Sequence, residues 1–342
     1  MKKNIYFFQW ISDLGGADTR LKDFIQLLSK TEKYKLHSIP NDNFRLEEKN
    51  NRDFLESHGV KILSWEELPE KAEGFGIAFS NFRIFSESWR IDRIKSMGLK
   101  FIWSNDMMWH TDEEISCLNN KLIDAAIYTS QKHYEDISID ASKNVKEFIV
   151  PNYFYLENYR YIERPIRENF VIGKHSRADF LKFSDDFPNF YENLKITRPK
   201  YRVMGFNKYI KSHFRWFEFN SNWDLLKENQ EDTMKFLKSL DCYVYNCHPT
   251  FTETQCRATI EAMLTGLPVV APAKENFKNQ IQHGKSGFIW DSYEECIEYV
   301  KFLEQNVDDR IAIGKLAREV SIDLWCNSEK QLEIWDNIFS NI

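Results

Sequence analysis

Two glutamates eight positions apart, Glu253 and Glu261, lie in the most informative stretch of the chain, Thr252-Glu253-Thr254-Gln255-Cys256-Arg257 running on to Gly266-Leu267-Pro268. Thr252 with Gln255 fits a capping box, which predicts a helix starting there. Gly266 supplies a left-handed cap at its far end and Pro268 prevents continuation, so Val269–Ala271 is expected to enter a sheet. On one helix the two carboxylates would differ by roughly 80° around the axis and about 12 Å along it. That separation suits an elongated polar ligand such as a nucleotide sugar. The exposed N–H groups of Glu253–Gln255 would offer an anion site. A diphosphate there would set its sugar near Glu253 and its ribose near Glu261. Solvated helix glutamates also reach this spacing by chance, so the pair depends on its context.

The elements that must position these residues alternate between short apolar runs and longer helical patterns, the arrangement of βαβ units with parallel sheets. Expected strands are Asn4–Trp10, Gly76–Ser80, Lys100–Ser104, Ala125–Thr129 and Glu147–Val150, then Phe170–Gly173, Tyr201–Gly205, Cys242–Asn246 and Pro268–Ala271. A loop through Leu14-Gly15-Gly16 precedes a helix carrying Ala17, Leu21, Phe24 and Leu28, and Trp223–Leu240 reads as another helix. Residues 151–169 read as a linker packed on a surface. Two Rossmann-like halves follow: 1–155, a linker 156–169, and 170–320. A C-terminal helix 321–342 carries Leu332, Trp335, Ile338, Phe339 and Ile342 as an apolar stripe that must be buried.

The 342 residues are 42% hydrophobic and 29% charged, which excludes wholesale disorder, and the net charge of −6 counts against nucleic acid as the main partner. No apolar run approaches the roughly 18 residues of a membrane span. The apolar start is interrupted by Gln9 and ends at Ser12-Asp13, so it reads as a buried strand rather than a signal peptide. The six cysteines are too sparse for a disulfide framework, and a reduced, cytoplasmic protein is expected. Cys242, Cys247, His248 and Cys256 lack a second close pair, so they read as buried thiols rather than a zinc site. Arg83, Arg90, Arg93, Lys95 and Lys100 interleave with Phe82, Phe85, Trp89 and Ile91. That face would suit an anionic membrane surface, although an ordinary amphipathic helix explains it better.

Glu253 to Glu261, followed by Ala-Met-Leu-Thr-Gly-Leu-Pro-Val-Val-Ala, resembles the E-x7-E donor motif of family 4 glycosyltransferases and their relatives with the GT-B fold. Gly15-Gly16-Ala17-Asp18-Thr19-Arg20 resembles that family's first glycine-rich loop, and Val150-Pro151-Asn152 the end of its N-terminal domain. Gly173-Lys174-His175-Ser176-Arg177 with Lys182 resembles its basic diphosphate loop, and Gln282-His283-Gly284-Lys285-Ser286-Gly287-Phe288 its H/N-G-x-x-G-F element. The resemblance covers most of the chain and is most specific in the C-terminal half. It implies an α/β protein with two facing Rossmann-like domains, a cleft between them, and a C-terminal helix packing back on the N-terminal domain.

The resemblance also implies roles. Arg177 and Lys182 would stabilise charge on the leaving diphosphate, Gly16 would let backbone approach it, and Glu253 would fix the sugar and assist electrostatically. Thr254, Gln255 and His248 fall in the donor-contact region, and Glu261 would hold the ribose. Asn105, Asp106 and His110 sit where relatives place an acceptor-side loop. No two aspartates are separated by a single residue, so the D-x-D metal element of the other major glycosyltransferase fold is missing, and a metal-independent reaction with no cofactor follows. The expected function is retaining transfer from a nucleotide sugar to a hydroxyl acceptor such as a glycan or a lipid-linked glycan. Four readings stand beside it: a nucleotide-sugar 2-epimerase, a phosphorylase-like enzyme with pyridoxal phosphate, a non-catalytic nucleotide-sugar-binding module, and a transferase acting on modified nucleic-acid bases.

Overall fold

Short apolar runs bounded by polar loops pair side by side as parallel strands, and helices make the crossovers that parallel pairing requires. The computed structural model describes residues 2–12, 15–138 and 145–342. The chain forms two compact units: the residues up to Tyr155 together with Asn327–Ile342, and Leu156–Cys326.

In the first unit β1 (Lys3–Phe7), β2 (Tyr34–Ser38), β3 (Lys61–Ile62), β4 (Gly74–Phe79), β5 (Lys100–Ser104), β6 (Ala125–Tyr128) and β7 (Lys146–Ile149) alternate with α1 (Gly16–Ser29), α2 (Lys49–Ser57), α3 (Ser88–Met97), α4 (Asp112–Asn119) and α5 (Gln131–Ile137). Among the described residues the sheet order is β3-β2-β1-β4-β5-β6-β7, parallel throughout. Side chains alternate across each strand. Ile5 and Phe7 therefore join one core layer with Phe24 and Phe79, while Tyr6 and Phe8 join another with Phe101 and Trp103.

In the second unit β8 (Phe170–His175), β9 (Pro199–Met204), β10 (Trp223–Leu226), β11 (Cys242–Val244), β12 (Val269–Pro272) and β13 (Gly287–Trp290) alternate with α6 (Phe187–Glu192), α7 (Lys208–His213), α8 (Thr233–Lys238), α9 (Arg257–Leu264), α10 (Glu275–Lys278), α11 (Tyr293–Gln305) and α12 (Val307–Trp325). Its sheet runs β10-β9-β8-β11-β12-β13 among the described residues, again parallel. Residues 159–169 pack on this unit. Arg164 donates to the carbonyls of Leu240, Thr265 and Gly266 at 3.0, 3.1 and 3.1 Å, which satisfies orphan carbonyls at the end of α9.

Several expectations need correction. The stretch Trp223–Leu240 is not one helix: Trp223–Leu226 pairs with β9, a left-handed Asn229 (φ 52°) turns the chain, and Asp232 caps α8 through Lys235 N. Thr252 and Gln255 do not cap a helix, because α9 begins at Arg257 with Cys256 as an uncapped first residue. Its end is as expected, with Gly266 left-handed at φ 77°. The strand at Phe170 runs on to His175, which draws Lys174 and His175 out of the expected loop and into the sheet. Residue 321 is not a helix start, since α12 continues to Trp325 and Asn327 caps a separate helix α13 (Ser328–Asn341) through Lys330 N. Leu14 of the first loop lies outside the described residues.

The stripe of α13 is buried in the first unit: Trp335, Ile338 and Phe339 are 1%, 0% and 4% exposed, and the Trp335 ring lies 4.4 Å from that of Phe24. Trp335→Ala should destabilise this unit by about 3–5 kcal/mol, read as a lowered midpoint in denaturant unfolding followed by near-ultraviolet circular dichroism.

Candidate functional site

Both sheets reverse strand order, between β1 and β4 and between β8 and β11. The carboxyl ends of strands flanking such a reversal leave the crevice in which open α/β sheets bind ligands. In the second unit β8 leads directly into Ser176-Arg177, and β11 leads through Tyr245 and Asn246 into the segment that carries His248 and Glu253.

Glu253 therefore precedes α9 and lies at its approach, not in its first turn. Its carboxylate accepts from Lys182 Nζ and from the Tyr245 hydroxyl. Lys182 and Glu253 side chains are 12% and 10% exposed, so the pair is shielded from the screening that makes surface pairs weak. Burial alone would lift the Glu253 carboxyl, but Lys182, with the Tyr245 hydroxyl and the charge of Lys174, holds the group below the usual carboxylate range. The Lys182 ammonium also stands 4.4 Å from the Phe251 ring.

Glu261 sits on the second turn of α9 as expected, but faces a different partner. His175 Nε2 is 3.0 Å from its Oε2, and Arg257 Nε is 3.8 Å from Oε1. Burial raises its carboxyl, while the hydrogen bond from His175, the charge of Arg257 and the Tyr159 hydroxyl together bring it below the ordinary value. The Tyr243 hydroxyl donates to His175 O at 3.0 Å, and His175 N donates back to that hydroxyl at 3.1 Å. This fixes the backbone that presents the imidazole.

Arg177 is exposed on the loop after β8, and Lys182 ends a short 3-10 turn capped by Asp179. His248 Nδ1 lies 2.7 Å from the Thr250 hydroxyl and Nε2 3.6 Å from Asp185. Thr254 is half-buried and Gln255 buried. Lys274 binds this segment from below, donating to the carbonyls of His248, Pro249 and Phe251. Cys242, Cys247 and Cys256 are buried thiols, and among the described residues no three His, Cys, Asp or Glu side chains converge as metal ligands would. Gln282–Phe288 forms a tight turn in which Gly284 N donates to Gly287 O at 2.9 Å.

In the first unit Gly16 is the exposed first residue of α1. Asp106 is ion-paired to the buried Arg20 of α1, which also donates to Ser104 Oγ at 2.9 Å. Asn105 is engaged within its own loop, donating to Trp109 O at 3.0 Å and accepting from Met107 N at 2.6 Å. His110 is half-buried. Of the two tryptophans near this loop, Trp103 is buried and Trp109 is 44% exposed. The cations of the basic, aromatic segment serve the fold. Arg90 donates to the carbonyls of Arg83 and Asn41, Arg93 to that of Leu68, and Lys95 and Lys100 pair with Asp124.

Sequence reasoning missed Arg20 as a partner of Asp106, although a cation sharing the apolar face of α1 with Ala17 and Phe24 was the signal. It also missed Tyr245, and it placed Lys174 in a basic loop, where the structure buries it in β8. Among the described residues no helix is long and apolar enough to cross a membrane.

Residues 185–320 match the family described as Glycosyl transferases group 1. No curated protein matches the sequence. Among solved structures, the chain is similar to HepE of Anabaena in complex with UDP and glucose, at 14% identity over 100% of both chains with a TM-score of 0.75. It is also similar to sucrose-phosphate synthase of Thermosynechococcus elongatus, at 12% identity over 100% of both chains with a TM-score of 0.71. A glycosyltransferase of Rickettsia africae gives 14% identity, 100% of both chains and 0.72. Residues 185–320 thus match the group 1 glycosyl transferases, and the chain has the GT-B fold of these solved structures.

Proposed function

We propose that the chain takes a sugar from a nucleotide-sugar donor held on its second unit and transfers it, with retained anomeric configuration and without a metal, to a hydroxyl acceptor. The observation that carries this is the shielded Lys182–Glu253 pair at the strand-order reversal of the second unit, with Arg177 exposed on the same loop. The complex of HepE with UDP and glucose supports the donor class. Lys182 and Arg177 would bind the diphosphate, exchanging an internal carboxylate for the more highly charged ligand. Glu253, freed from Lys182, would take up the sugar hydroxyls, and Glu261, oriented by His175, would accept from the ribose. His248, Thr254 and Gln255 would line the donor.

No carboxylate in this set stands free to attack a sugar carbon. A front-side displacement fits better: the bond from the anomeric carbon to the diphosphate breaks, the acceptor oxygen bonds on the same face, and its proton passes to the departing diphosphate. Fixed cations are then the main catalytic resource, since they stabilise charge that grows only as the bond breaks. Both glutamates already having cationic partners favours this reading over a non-catalytic binding module.

A thermal-shift screen across nucleoside diphosphates and their sugars should raise the melting temperature with at least one of them, and no shift with any would overturn the donor reading. Incubation with donor alone separates transfer from epimerisation, which needs no acceptor. Glu261→Ala should raise donor KM by about tenfold while kcat changes by less than about threefold, whereas Glu253→Gln should lower kcat by about a hundredfold. Lys182→Met leaves burial to lift Glu253 above the ordinary carboxylate value, and should cost about 3–5 kcal/mol of stability near neutral pH. The wild-type contribution is present above the unfolded carboxylate value of about 4.3 and is lost as pH falls through the depressed folded value. Melting curves of the two proteins should therefore converge on acidification.

A further inference from the structure

Lys174 is 0% exposed in β8, between Gly173 and His175 in a strand whose other residues, Phe170, Val171 and Ile172, are apolar. Its Nζ donates to the carbonyl oxygen of Lys182 and, at 2.7 Å, to that of Asn246. The rings of Phe183 and Tyr245 complete its surroundings at 4.5 and 4.7 Å. An ammonium removed from water in this way is costly, and an apolar side chain of the same length would fill the position without that cost. What the charge supplies is a tie between two segments. Lys182 ends the loop after β8, and Asn246 begins the segment after β11 that carries Glu253.

We propose that Lys174 is a positioning residue for donor binding: by donating to the carbonyls of Lys182 and Asn246 it holds the two segments in register, so that the Lys182 ammonium is presented to the donor's diphosphate. The inference rests on the donor reading above and adds to it a residue that touches neither donor nor acceptor. A methionine-like filler would leave two buried carbonyls unpaired and Lys182 free to swing.

The tie is pH-sensitive. Burial pushes Lys174 down to about 7, with the Lys182 ammonium (lowering) and the Glu253 carboxylate (raising) as smaller influences. Of the groups facing it, the Cys247 and Cys256 thiols and the Tyr245 phenol are all raised by burial and stay protonated near neutrality, and Glu253 stays ionised. As pH rises through about 7 the ammonium becomes an amine, and its charge-assisted hydrogen bonds weaken by roughly half.

The test is calorimetric titration with UDP between pH 6 and pH 8.5 on wild type, Lys174→Met, Lys174→Gln and Lys182→Ala, with thermal unfolding as the check on folding. Lys174→Met should bind UDP about tenfold more weakly than wild type at pH 6, a loss of about 1.4 kcal/mol, and the gap should narrow at pH 8.5. The variant carries UDP's own titration, so the change in the ratio belongs to Lys174. Lys174→Gln keeps two N–H donors without the charge, and should bind better than Met with the same narrowing gap. If Lys174→Met binds as wild type does at both pH values, the inference fails while the donor reading survives, provided that Lys182→Ala abolishes UDP binding. If Lys182→Ala binds normally, both fail. Should the methionine variant not fold, a Lys174→Gln variant whose ratio to wild type is independent of pH overturns the proposal alone.

Discussion

A carboxylate taken out of water must be given a cation or hydrogen-bond donors, and the second unit does this twice within one short strand. Beyond Gly173, β8 continues for two residues before the chain turns. Successive side chains of a strand point to opposite faces, so Lys174 and His175 diverge. Lys174 enters the layer of Phe183 and Phe187 beneath Lys182, and His175 enters the layer of Phe236 and Tyr243, where it meets Glu261. One strand end thus supports both glutamates, the first indirectly through Lys182 and the second by direct contact. Gly173 makes the arrangement fit, since a Cβ there would lie 1.8 Å from Arg202 O on β9.

This arrangement also explains why the pair of acids does not need a shared helix. Read as one helix, Glu253 and Glu261 would be related by helical geometry alone. In the fold they are related by the sheet instead: Glu253 lies on the segment leaving β11, Glu261 on α9, and β8 beside β11 supplies His175 to Glu261 and, through Lys174, supports Lys182, the partner of Glu253. Their separation is set by strand spacing and side-chain alternation, both stiff quantities. Lys274 adds a third constraint by collecting three carbonyls of the intervening segment.

Much of this was legible in the sequence wherever a local pattern carried it. The strands Lys100–Ser104 and Ala125–Tyr128 carry the apolar runs Phe101–Trp103 and Ala125–Tyr128, and Gly266-Leu267-Pro268 marks a helix end through backbone chemistry that tertiary contacts do not override. Other elements were hidden because partners far along the chain decide them. Tyr34–Ser38 carries Lys35 and His37 and reads as polar, yet pairs with β1. Trp223–Leu226 is too short for a period to show, and its place beside β9 is fixed by long-range pairing. The false capping box at Thr252 failed for a related reason. Glu253 is held by Lys182 and Tyr245, contacts from far along the chain that local propensity does not contain, and the helix starts only at Arg257. The burial of Lys174 was invisible because a buried lysine and a solvated one have the same spelling.

The first unit contains a buried ion pair of a different kind, and the contrast bears on which side of the molecule can exchange ligands. Arg20 reaches from α1 to Asp106, to the Ser104 hydroxyl and to Val150 O at 3.4 Å, with its guanidinium 4.8 Å from the Phe79 ring. A planar fork satisfied on several sides is rigid, and Asp106 cannot leave it without stranding a buried cation. Lys182 is a point charge on a flexible stem whose anionic partner is Glu253. Moving that ammonium from a carboxylate to a diphosphate replaces one negative charge with more than one and strands nothing, provided that the released glutamate finds sugar hydroxyls. By this physics Arg20–Asp106 is suited to hold the fold of its loop, whereas Lys182–Glu253 is suited to the exchange that the proposed function requires of it.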